Sequence, residues 1–490
     1  MEKITLFEPF DIKEVGVVRE VKRGIVKIEG LPSCIYGQII EFGETNRKGL
    51  VIDFNDREVL AFILGDERDI RLGSTVTGRN EVFSLPVGKS FLGRVINSVG
   101  EPLDGKSRAI ERNIAAPVFR RAPGVLDRVP ITEQLETGIK ILDTVIPIGK
   151  GQRELIIGDR QTGKSTLAID MIINQKDRNV ACVYCWVGGS HSSLLKVIST
   201  LEEMGAMDYT IVVAASASAG EQYLAPYVAA TMAEYFMYNG QHSLVVFDDL
   251  TKHAWIYREL SLLLERSPGR EAYPGDIFYL HSQLMERAGR LNSELGSGSM
   301  TFLPIAETLQ GDITGYVQSN LVSMTDGQIY ISSSLFHEGF KPAIDLGFSV
   351  SRIGSKVQSE ALREVTDTIR LDYAQYKDLL RLMRVRTRLS TEISEKLRRG
   401  ETLTQLLIQD AHRPVSEIAM LIQFYAFKRK ILEILSSEGL NVFNTDIMEY
   451  LQETRAGLIK DLTEQKRLTP EIREELDRAF VEFFREKKVV

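Results

Sequence analysis

Cysteine is scarce in this sequence, and long hydrophobic runs and export signals are missing from it. The 490 residues include three cysteines, an odd number that excludes a fully paired disulfide framework. No run of about 18 apolar residues occurs, which excludes a membrane-spanning helix. The first residues have neither the apolar core of a signal peptide nor the Arg- and Ser-rich character of a transit peptide. We therefore expect any association with a membrane to depend on partner proteins.

The net charge is also small for a chain of this length. A formal charge of −7 argues against a protein that binds nucleic acid through bulk charge. Apolar residues make up 43% and charged residues 26% of the sequence, which is typical of a globular protein. The 490 residues are too many for one hydrophobic core and sufficient for three domains.

Two of the cysteines, Cys182 and Cys185, form a C-x-x-C pattern inside the apolar run 180–187. That run is typical of a buried strand, on which residues three apart point to opposite faces. The pair therefore suits neither a redox disulfide nor half of a zinc site. We expect both to be small core residues in a protein from a reducing compartment.

Apolar runs with different spacing indicate a barrel followed by an α/β domain. Short β-branched runs recur at intervals of about ten residues between positions 14 and 75, which predicts a small all-β barrel. From about residue 136, continuous apolar runs such as 155–157 and 244–247 alternate with loops and helical patterns. Such runs are typical of strands buried on both faces of a parallel sheet.

Helices are expected after about residue 357. Apolar residues recur at helical spacing over 376–383, and a further helical run spans 416–435. A last helix is expected at Thr469-Pro470, a capping residue followed by proline at the first helical position. The predicted domains are therefore a barrel at 1–75, an α/β domain at 76–357 and a helical domain at 358–490.

A phosphate-loop pattern, G-x-x-x-x-G-K-[ST], occurs at Gly158-Asp159-Arg160-Gln161-Thr162-Gly163-Lys164-Ser165. It lies between a predicted strand and a helical stretch from Thr166, which is the context that such a loop requires. Backbone N–H groups of the loop and of the helix N-terminus are expected to bind phosphate. Lys164 would reach the β- and γ-phosphates, and the Ser165 hydroxyl would hold Mg²⁺. We predict that a nucleoside triphosphate binds with Mg²⁺ at residues 158–166.

An acid at the end of a neighbouring apolar strand usually completes such a site. His242-Ser243-Leu244-Val245-Val246-Phe247-Asp248-Asp249 supplies it. Asp248 is the predicted residue that acts on Mg²⁺ through its water shell, and Asp249 is the weaker candidate.

Longer motifs resemble the alpha subunit of F-type rotary ATP synthases. They are Gly151-Gln152-Arg153-Glu154, which leads into the phosphate loop, Pro268-Gly269-Arg270-Glu271-Ala272-Tyr273-Pro274-Gly275-Asp276, Thr325-Asp326-Gly327-Gln328-Ile329 and Ser349-Val350-Ser351-Arg352-Ile353-Gly354-Ser355. The resemblance runs from about residue 14 to the C-terminal helices. It implies a six-stranded barrel, a RecA-like P-loop NTPase domain and a helical domain.

The resemblance also implies partners and a location. Such subunits alternate with beta subunits in a hexamer of three alpha and three beta chains around a gamma shaft, which the segment 268–276 would face, and a peripheral stalk holds the hexamer. The complex makes ATP from ADP and phosphate with a transmembrane ion gradient, or runs in reverse. The complex lies at the cytoplasmic face of the cell membrane. For a chain like this one, a bacterial or archaeal membrane is expected more than an organellar one.

A carboxylate expected of a catalytic subunit is missing. In the family's beta subunit a Glu follows the strand after the phosphate loop, whereas this chain has Val187-Gly188-Gly189-Ser190-His191-Ser192. Alpha subunits usually carry Gln at the position of Gly189, so the chain differs from them as well. Because glycine cannot orient a water molecule, we expect very slow hydrolysis in this site. His191 is an alternative base, but a polar loop histidine is the favoured interpretation.

Arg352 is, by resemblance, an arginine finger that enters the catalytic site of the neighbouring beta subunit. Its guanidinium would pair with γ-phosphate oxygens in the transition state. Ser349 and Ser351 would hold its backbone and loop. Without the resemblance, an arginine among serine and glycine residues would be interpreted as a solvated loop charge.

Three further features follow from the resemblance. Lys341 stands where the family has an Arg that lines the nucleotide pocket. Gln409 matches one of two glutamines near the adenine, and the second position is Ala411 here.

Family members have about 20 more N-terminal residues in a helix that binds a delta subunit, whereas Pro9 interrupts the short segment of this chain. A delta partner is therefore doubtful, as in the alternative, sodium-linked branch of these enzymes.

Other functions would have other sequence features. A self-sufficient hexameric ATPase, such as the export ATPase of type III secretion, should carry a Glu at position 189. An RNA-translocating termination factor should carry an RNA-binding N-terminal domain with exposed aromatic residues. A purely structural nucleotide-binding subunit would differ from the favoured interpretation only in the role of Arg352.

Overall fold

A computed structural model describes residues 14–22, 24–43, 47–65, 67–107, 109–111, 114–215, 218–383 and 391–487. Pro9 and the segment around it lie outside the described residues. The strands of the described chain are β1 (Glu14–Lys22), β2 (Ile25–Glu29), β3 (Gln38–Phe42), β4 (Arg47–Phe54), β5 (Val59–Leu64), β6 (Thr75–Val82), β7 (Ser84–Pro86), β8 (Val95–Ile96), β9 (Ala115–Pro117), β10 (Leu155–Gly158), β11 (Val180–Val187), β12 (Thr210–Ala215), β13 (His242–Asp248), β14 (Gly289–Arg290), β15 (Ser299–Glu307), β16 (Gly327–Ile331) and β17 (Val350–Ser351).

The helices of the described chain are α1 (Lys140–Val145), α2 (Lys164–Ile173), α3 (His191–Glu203), α4 (Ala219–Tyr238), α5 (Leu250–Leu263), α6 (Ile277–Met285), α7 (Tyr316–Met324), α8 (Ser333–His337), α9 (Glu360–Thr366), α10 (Ile369–Met383), α11 (Thr391–Leu407), α12 (Glu417–Lys428), α13 (Ser437–Thr454), α14 (Ala456–Gln465) and α15 (Pro470–Lys487). Within the described ranges, no helix has both the length and the apolar character needed to cross a membrane.

The chain forms two compact units. The first contains the described residues of Met1–Val129, Asn179–Ala306 and Thr314–Met324, and the second those of Pro130–Arg178, Glu307–Ile313 and Thr325–Val490. The predicted order of barrel, α/β elements and helices along the chain is confirmed.

The first unit begins with a closed six-stranded barrel in the order β1-β2-β5-β4-β3-β6. Its neighbouring strands are antiparallel, and the inward positions of each strand carry aliphatic or aromatic residues such as Val26, Ile40 and Phe42. Closure leaves no edge strand exposed, which is why six short strands suffice.

The first unit also holds a parallel sheet in the order β15-β13-β11-β12-β8. Every residue of β11 is buried, as its unbroken apolar sequence predicts. Cys182 and Cys185 are unpaired and completely buried, so their prediction as core residues is confirmed.

A buried ion pair joins α4 of the first unit to the turn after α6. Arg287 donates two hydrogen bonds to the carboxylate of Glu234, each of 2.7 Å, and the two side chains are 1% and 3% exposed. Arg287 also donates to the Val118 carbonyl at 3.0 Å and to the Thr231 hydroxyl at 2.9 Å. Each polar side-chain atom of Arg287 and Glu234 therefore has a hydrogen-bond partner, although both side chains are buried.

In the second unit, β10 is parallel to β16, which is antiparallel to β17. The helices α9 to α15 follow. The prediction of a last helix that begins at Thr469-Pro470 is confirmed. The single run predicted for 416–435 is wrong, because α12 ends at Lys428 and a short 3-10 turn follows at Leu432–Ile434. Lys430 has a φ of +59°, which no α-helix accommodates.

Candidate functional site

The predicted phosphate loop connects β10 to α2 in the second unit. Gly158 ends β10, and a Cβ there would lie only 2.5 Å from the carbonyl oxygen of Ile331 on β16, so strand packing requires a glycine. Gly163 precedes α2 with a φ of +96° and no side-chain cap, and the first turn of α2 carries no acidic residue. A helix N-terminus of this kind favours a phosphate group.

The carboxylate of Asp159 holds the loop in place. One oxygen accepts hydrogen bonds from the Thr308 hydroxyl at 2.6 Å and the Gly311 N–H at 2.8 Å, and the other accepts from the Ser333 hydroxyl at 2.6 Å. Burial raises the pKa of Asp159, but these hydrogen bonds outweigh burial and lower the pKa below its usual value. The side chain of Asp159, a predicted site residue, therefore anchors the loop to the segments that contain these three residues.

Lys164 begins α2 and is buried. Its Nζ donates to the carbonyl oxygen of Asp159 at 2.5 Å, and the Thr162 hydroxyl donates to the same oxygen at 2.8 Å. Ser165 and Thr166 follow in the first turn of α2 and are half-buried. The ammonium group and the two hydroxyl residues thus lie at the same helix N-terminus.

Arg160 and Gln161 form the exposed tip of the loop. The Arg160 Nε forms an ion pair with the Glu307 carboxylate at 3.0 Å. Gln161 has a φ of +60°, which places the loop backbone in a left-handed turn.

The predicted metal residue Asp248 lies in the first unit, at the end of β13. Its carboxylate accepts a hydrogen bond of 2.5 Å from the hydroxyl of Tyr184 on β11. Asp249 is buried and caps α5, where it accepts from the Lys252 N–H at 2.8 Å and forms an ion pair with Lys252 at 3.0 Å. Because Asp249 is committed to the cap, Asp248 is the better placed of the two for a metal.

The segment after β11 leaves the strand through two glycines with positive φ, +67° at Gly188 and +138° at Gly189. A Cβ at Gly189 would lie 3.2 Å from the Cζ2 of Trp186. His191 is the exposed first residue of α3, with its ring centroid 6.3 Å from the Trp186 ring. A side chain at position 189 would therefore need a different backbone conformation.

Arg352 directly follows β17 and is exposed. Its N–H donates to the carbonyl oxygen of Asp326 at 2.8 Å. The Asp326 carboxylate also accepts two hydrogen bonds from the Arg153 guanidinium, at 2.7 and 3.1 Å. Arg153 lies just before β10, the strand that enters the phosphate loop. Asp326 therefore bonds both to the start of that strand and to the backbone of Arg352.

The two predicted serines bond to the backbone around Arg352. The buried Ser349 hydroxyl accepts from the Tyr330 N–H at 2.9 Å. The Ser351 hydroxyl donates to the Pro147 carbonyl at 2.9 Å and accepts from the Gln152 side chain at 3.1 Å. Both hydroxyls are therefore part of the support of β17.

Lys341 and Gln409 are brought together, because the Gln409 N–H donates to the Lys341 carbonyl at 2.9 Å. The Lys341 Nζ lies 5.1 Å from the centroid of the Phe336 ring. The Gln409 amide donates to the carbonyl oxygens of Gly138 at 2.7 Å and Arg413 at 2.8 Å. Both of its N–H groups are thus bonded to backbone, which leaves little capacity for a base.

Several supporting residues were missed by sequence reasoning. Besides Ser333 and Tyr184, His412 attaches the loop after Gln409 to α2, since its N–H and Nδ1 lie 2.9 and 2.8 Å from one Asp170 oxygen. These partners are separated by up to 242 residues in sequence, so no local pattern indicates them.

The residues present fit a nucleotide and its metal. The helix N-terminus and the Lys164 ammonium favour a phosphate. The Ser165 hydroxyl at that helix N-terminus is an oxygen donor of the kind that Mg²⁺ takes together with phosphate and water. Asp248, in the first unit, carries a carboxylate, which is also an oxygen donor that suits Mg²⁺.

Comparisons with known proteins identify relatives along nearly the whole chain. Models of the ATP synthase alpha/beta family match its beta-barrel domain to residues 11–79, its nucleotide-binding domain to 138–351 and its C terminal domain to 358–483. A Petrotoga mobilis protein named ATP synthase subunit alpha is 44% identical over 487 residues, 98% of this chain and 96% of the relative. Proteins of the same name from Clostridium botulinum and Clostridium acetobutylicum are 44% identical over 470 residues, 96% of this chain and 93% of each relative.

Proposed function

The chain belongs to the ATP synthase alpha/beta family as an alpha subunit, and from this premise we propose that it binds Mg·ATP or Mg·ADP without catalysing hydrolysis and lends Arg352 to the active site of an adjacent beta subunit. The observation that carries the proposal is an intact phosphate loop combined with a strand exit, 188–192, that has no carboxylate.

Nucleotide binding is supported by the geometry of the loop and α2. In our proposal the backbone of 158–166 surrounds the phosphates, and Lys164 neutralises their charge. Ser165 would hold Mg²⁺, and Asp248 would act on the ion through its water shell. Lys341 and the loop that begins at Gln409 line the nucleotide more loosely, because the Gln409 amide is already bonded to backbone.

The lack of catalysis is supported by the backbone at Gly189. An attacking water needs a positioned base, and at 189 the φ of +138° and the contact with Trp186 disfavour any side chain. The site therefore has a regulatory or structural role, and the chemistry takes place in the beta subunit.

The proposed partners follow from this role. The chain alternates with beta subunits in a hexamer around the gamma shaft, is held by a peripheral stalk, and meets the membrane only through the membrane sector, at the cytoplasmic face. The same complex couples ATP synthesis or hydrolysis to ion transport. Copurification of the complex would identify its other subunits, delta included.

Purified alone, the chain is expected to bind Mg·ATP and to release no measurable phosphate from it. Lys164→Ala should weaken binding by about 10- to 100-fold, because a buried charged hydrogen bond to phosphate is lost. Titration calorimetry and a phosphate-release assay measure the two properties. Lys176→Ala is a matched control, since Lys176 is an exposed lysine of the same unit.

Brisk turnover by the isolated chain would contradict the proposed non-catalytic site. Equal affinities for the parent chain and the Lys164→Ala variant would contradict the proposed nucleotide site.

A further inference from the structure

A buried carboxyl group connects the entrance of the phosphate loop to the end of β17. Glu154 immediately precedes β10 and is completely buried. Its Oε2 accepts a hydrogen bond of 2.7 Å from the Gln152 amide, which also donates to the Ser351 hydroxyl at 3.1 Å. The amide oxygen of Gln152 accepts from the Gly149 N–H at 2.7 Å, so its orientation is set. Ser351 is the residue before Arg352, so two hydrogen bonds join Glu154 to the base of Arg352.

The backbone of β16 covers the same carboxyl group. A Cβ at Gly327 would lie 2.6 and 2.9 Å from the two carboxyl oxygens of Glu154, so nothing larger than glycine fits between them. Gly327 is the residue of β16 that pairs with Ser351. The Glu154 carboxyl group therefore supports Ser351 in a second way, because it packs against Gly327, the residue that pairs with Ser351.

We propose that Glu154 is a positioning residue for Arg352, which anchors the end of β17 through Gln152 and Ser351 and leaves the Arg352 guanidinium to the ligand of the neighbouring subunit. The inference rests on the role of Arg352 proposed above. Glu154 itself is buried and acts only through Arg352.

Its buried surroundings favour the uncharged form of Glu154. Its Oε1 has no hydrogen-bond partner in the part of the chain that the structure describes, and an ionised carboxylate buried in this way costs much more free energy than a neutral one. Burial raises the pKa of Glu154 well above its usual value; the Gln152 hydrogen bond opposes burial, Asp326 adds to it, and Arg352 opposes it.

The neutral state matters for Arg352. Asp326 is already paired with Arg153, so an ionised Glu154 would be the nearby negative charge that draws the Arg352 guanidinium back towards its own chain. A neutral Glu154 supports the strand without competing with a phosphate for that guanidinium.

The test is ATP hydrolysis by the assembled complex. Glu154→Ala is expected to lower kcat by about 10- to 100-fold, because a displacement of about 1 Å of a catalytic group has effects of this size, and to leave the KM for ATP unchanged. Glu154→Gln should retain the parent kcat, because its amide is neutral, has the same shape and still accepts from Gln152. Gln152→Leu, which removes the link to Ser351 and keeps the carboxyl group, should resemble Glu154→Ala.

Two further variants separate positioning from a general loss of structure. Adding Glu154→Ala to Arg352→Ala should lower kcat no further, because the effects of two residues that act through one another are not additive. Glu474→Gln makes the same chemical change at an exposed carboxylate and should behave as the parent.

The inference is overturned if Glu154→Gln is as slow as Glu154→Ala, which would mean that a charged carboxylate is needed, or if Glu154→Ala and Gln152→Leu keep the parent kcat while Arg352→Ala is inactive. Full activity of Arg352→Ala would overturn the proposed function together with this inference. If Glu154→Ala does not assemble, a normal kcat for Glu154→Gln with a lowered kcat for Gln152→Leu supports the inference, and any other pair of results overturns it.

Discussion

Arg352→Ala is expected to lower ATP turnover by the assembled complex by about 10³-fold or more, the range measured for arginine fingers in related NTPases. The guanidinium is exposed at the end of a strand whose backbone is held by Asp326 and by the two serines. It therefore projects from a supported base, and its charge would stabilise the transition state in another subunit. Steady-state hydrolysis by the purified complex measures this effect.

The controls isolate the guanidinium. Arg352→Lys keeps the charge without the planar fork and should recover only part of the activity. Arg478→Ala removes an exposed arginine from α15 and should leave turnover unchanged. Nucleotide binding by the isolated Arg352→Ala chain should equal that of the parent. Parent-like turnover of the Arg352→Ala complex would leave only a structural role for this subunit.

Glu234→Ala is expected to destabilise the chain by about 3–5 kcal/mol, because it leaves the Arg287 guanidinium buried and unpaired. The Glu234 and Arg287 side chains are 3% and 1% exposed, so the guanidinium loses its carboxylate partner in a position away from bulk solvent. Urea denaturation of the isolated chain, followed by circular dichroism, should show a transition at a much lower urea concentration than for the parent.

A double replacement distinguishes the pair from its parts. Glu234→Met with Arg287→Met removes both charges and fills a similar volume, so it should be far more stable than Glu234→Ala alone. Glu464→Ala, at an exposed helical position, should change the free energy of unfolding by less than about 0.5 kcal/mol. A double variant as unstable as Glu234→Ala would show that shape, and not the unpaired charge, causes the loss.

Much of the fold could be predicted because its signals are local. Strands buried on both faces are continuous apolar runs, as in β11, and a capping residue followed by proline marks the start of α15. The one helical run that was wrong, at 416–435, ended where Lys430 adopts a positive φ. That conformation depends on packing around the turn, and lysine has no local preference for it.

The spacing of the motif likewise predicts the phosphate loop, but it does not predict the distant contacts that support the loop. Asp159 stays a predicted nucleotide-binding residue, and its carboxylate oxygens accept hydrogen bonds from Thr308, Gly311 and Ser333. The position of the Ile331 carbonyl oxygen requires a glycine at 158. These constraints come from residues about 150 or more positions away, which no motif contains.

Four features could be predicted without any coordinates: the domain order, the phosphate loop, the absence of a carboxylate beside Gly189 and the family. All of these are properties of neighbouring residues, because strand burial, helix capping and phosphate binding by a loop depend on side chains a few positions apart. The support of Arg352, by contrast, depends on the folded arrangement of distant segments. Gln152, Asp326 and Ser351 meet because β10, β16 and β17 pair side by side, and hydrogen bonds between residues up to 199 positions apart depend on that pairing.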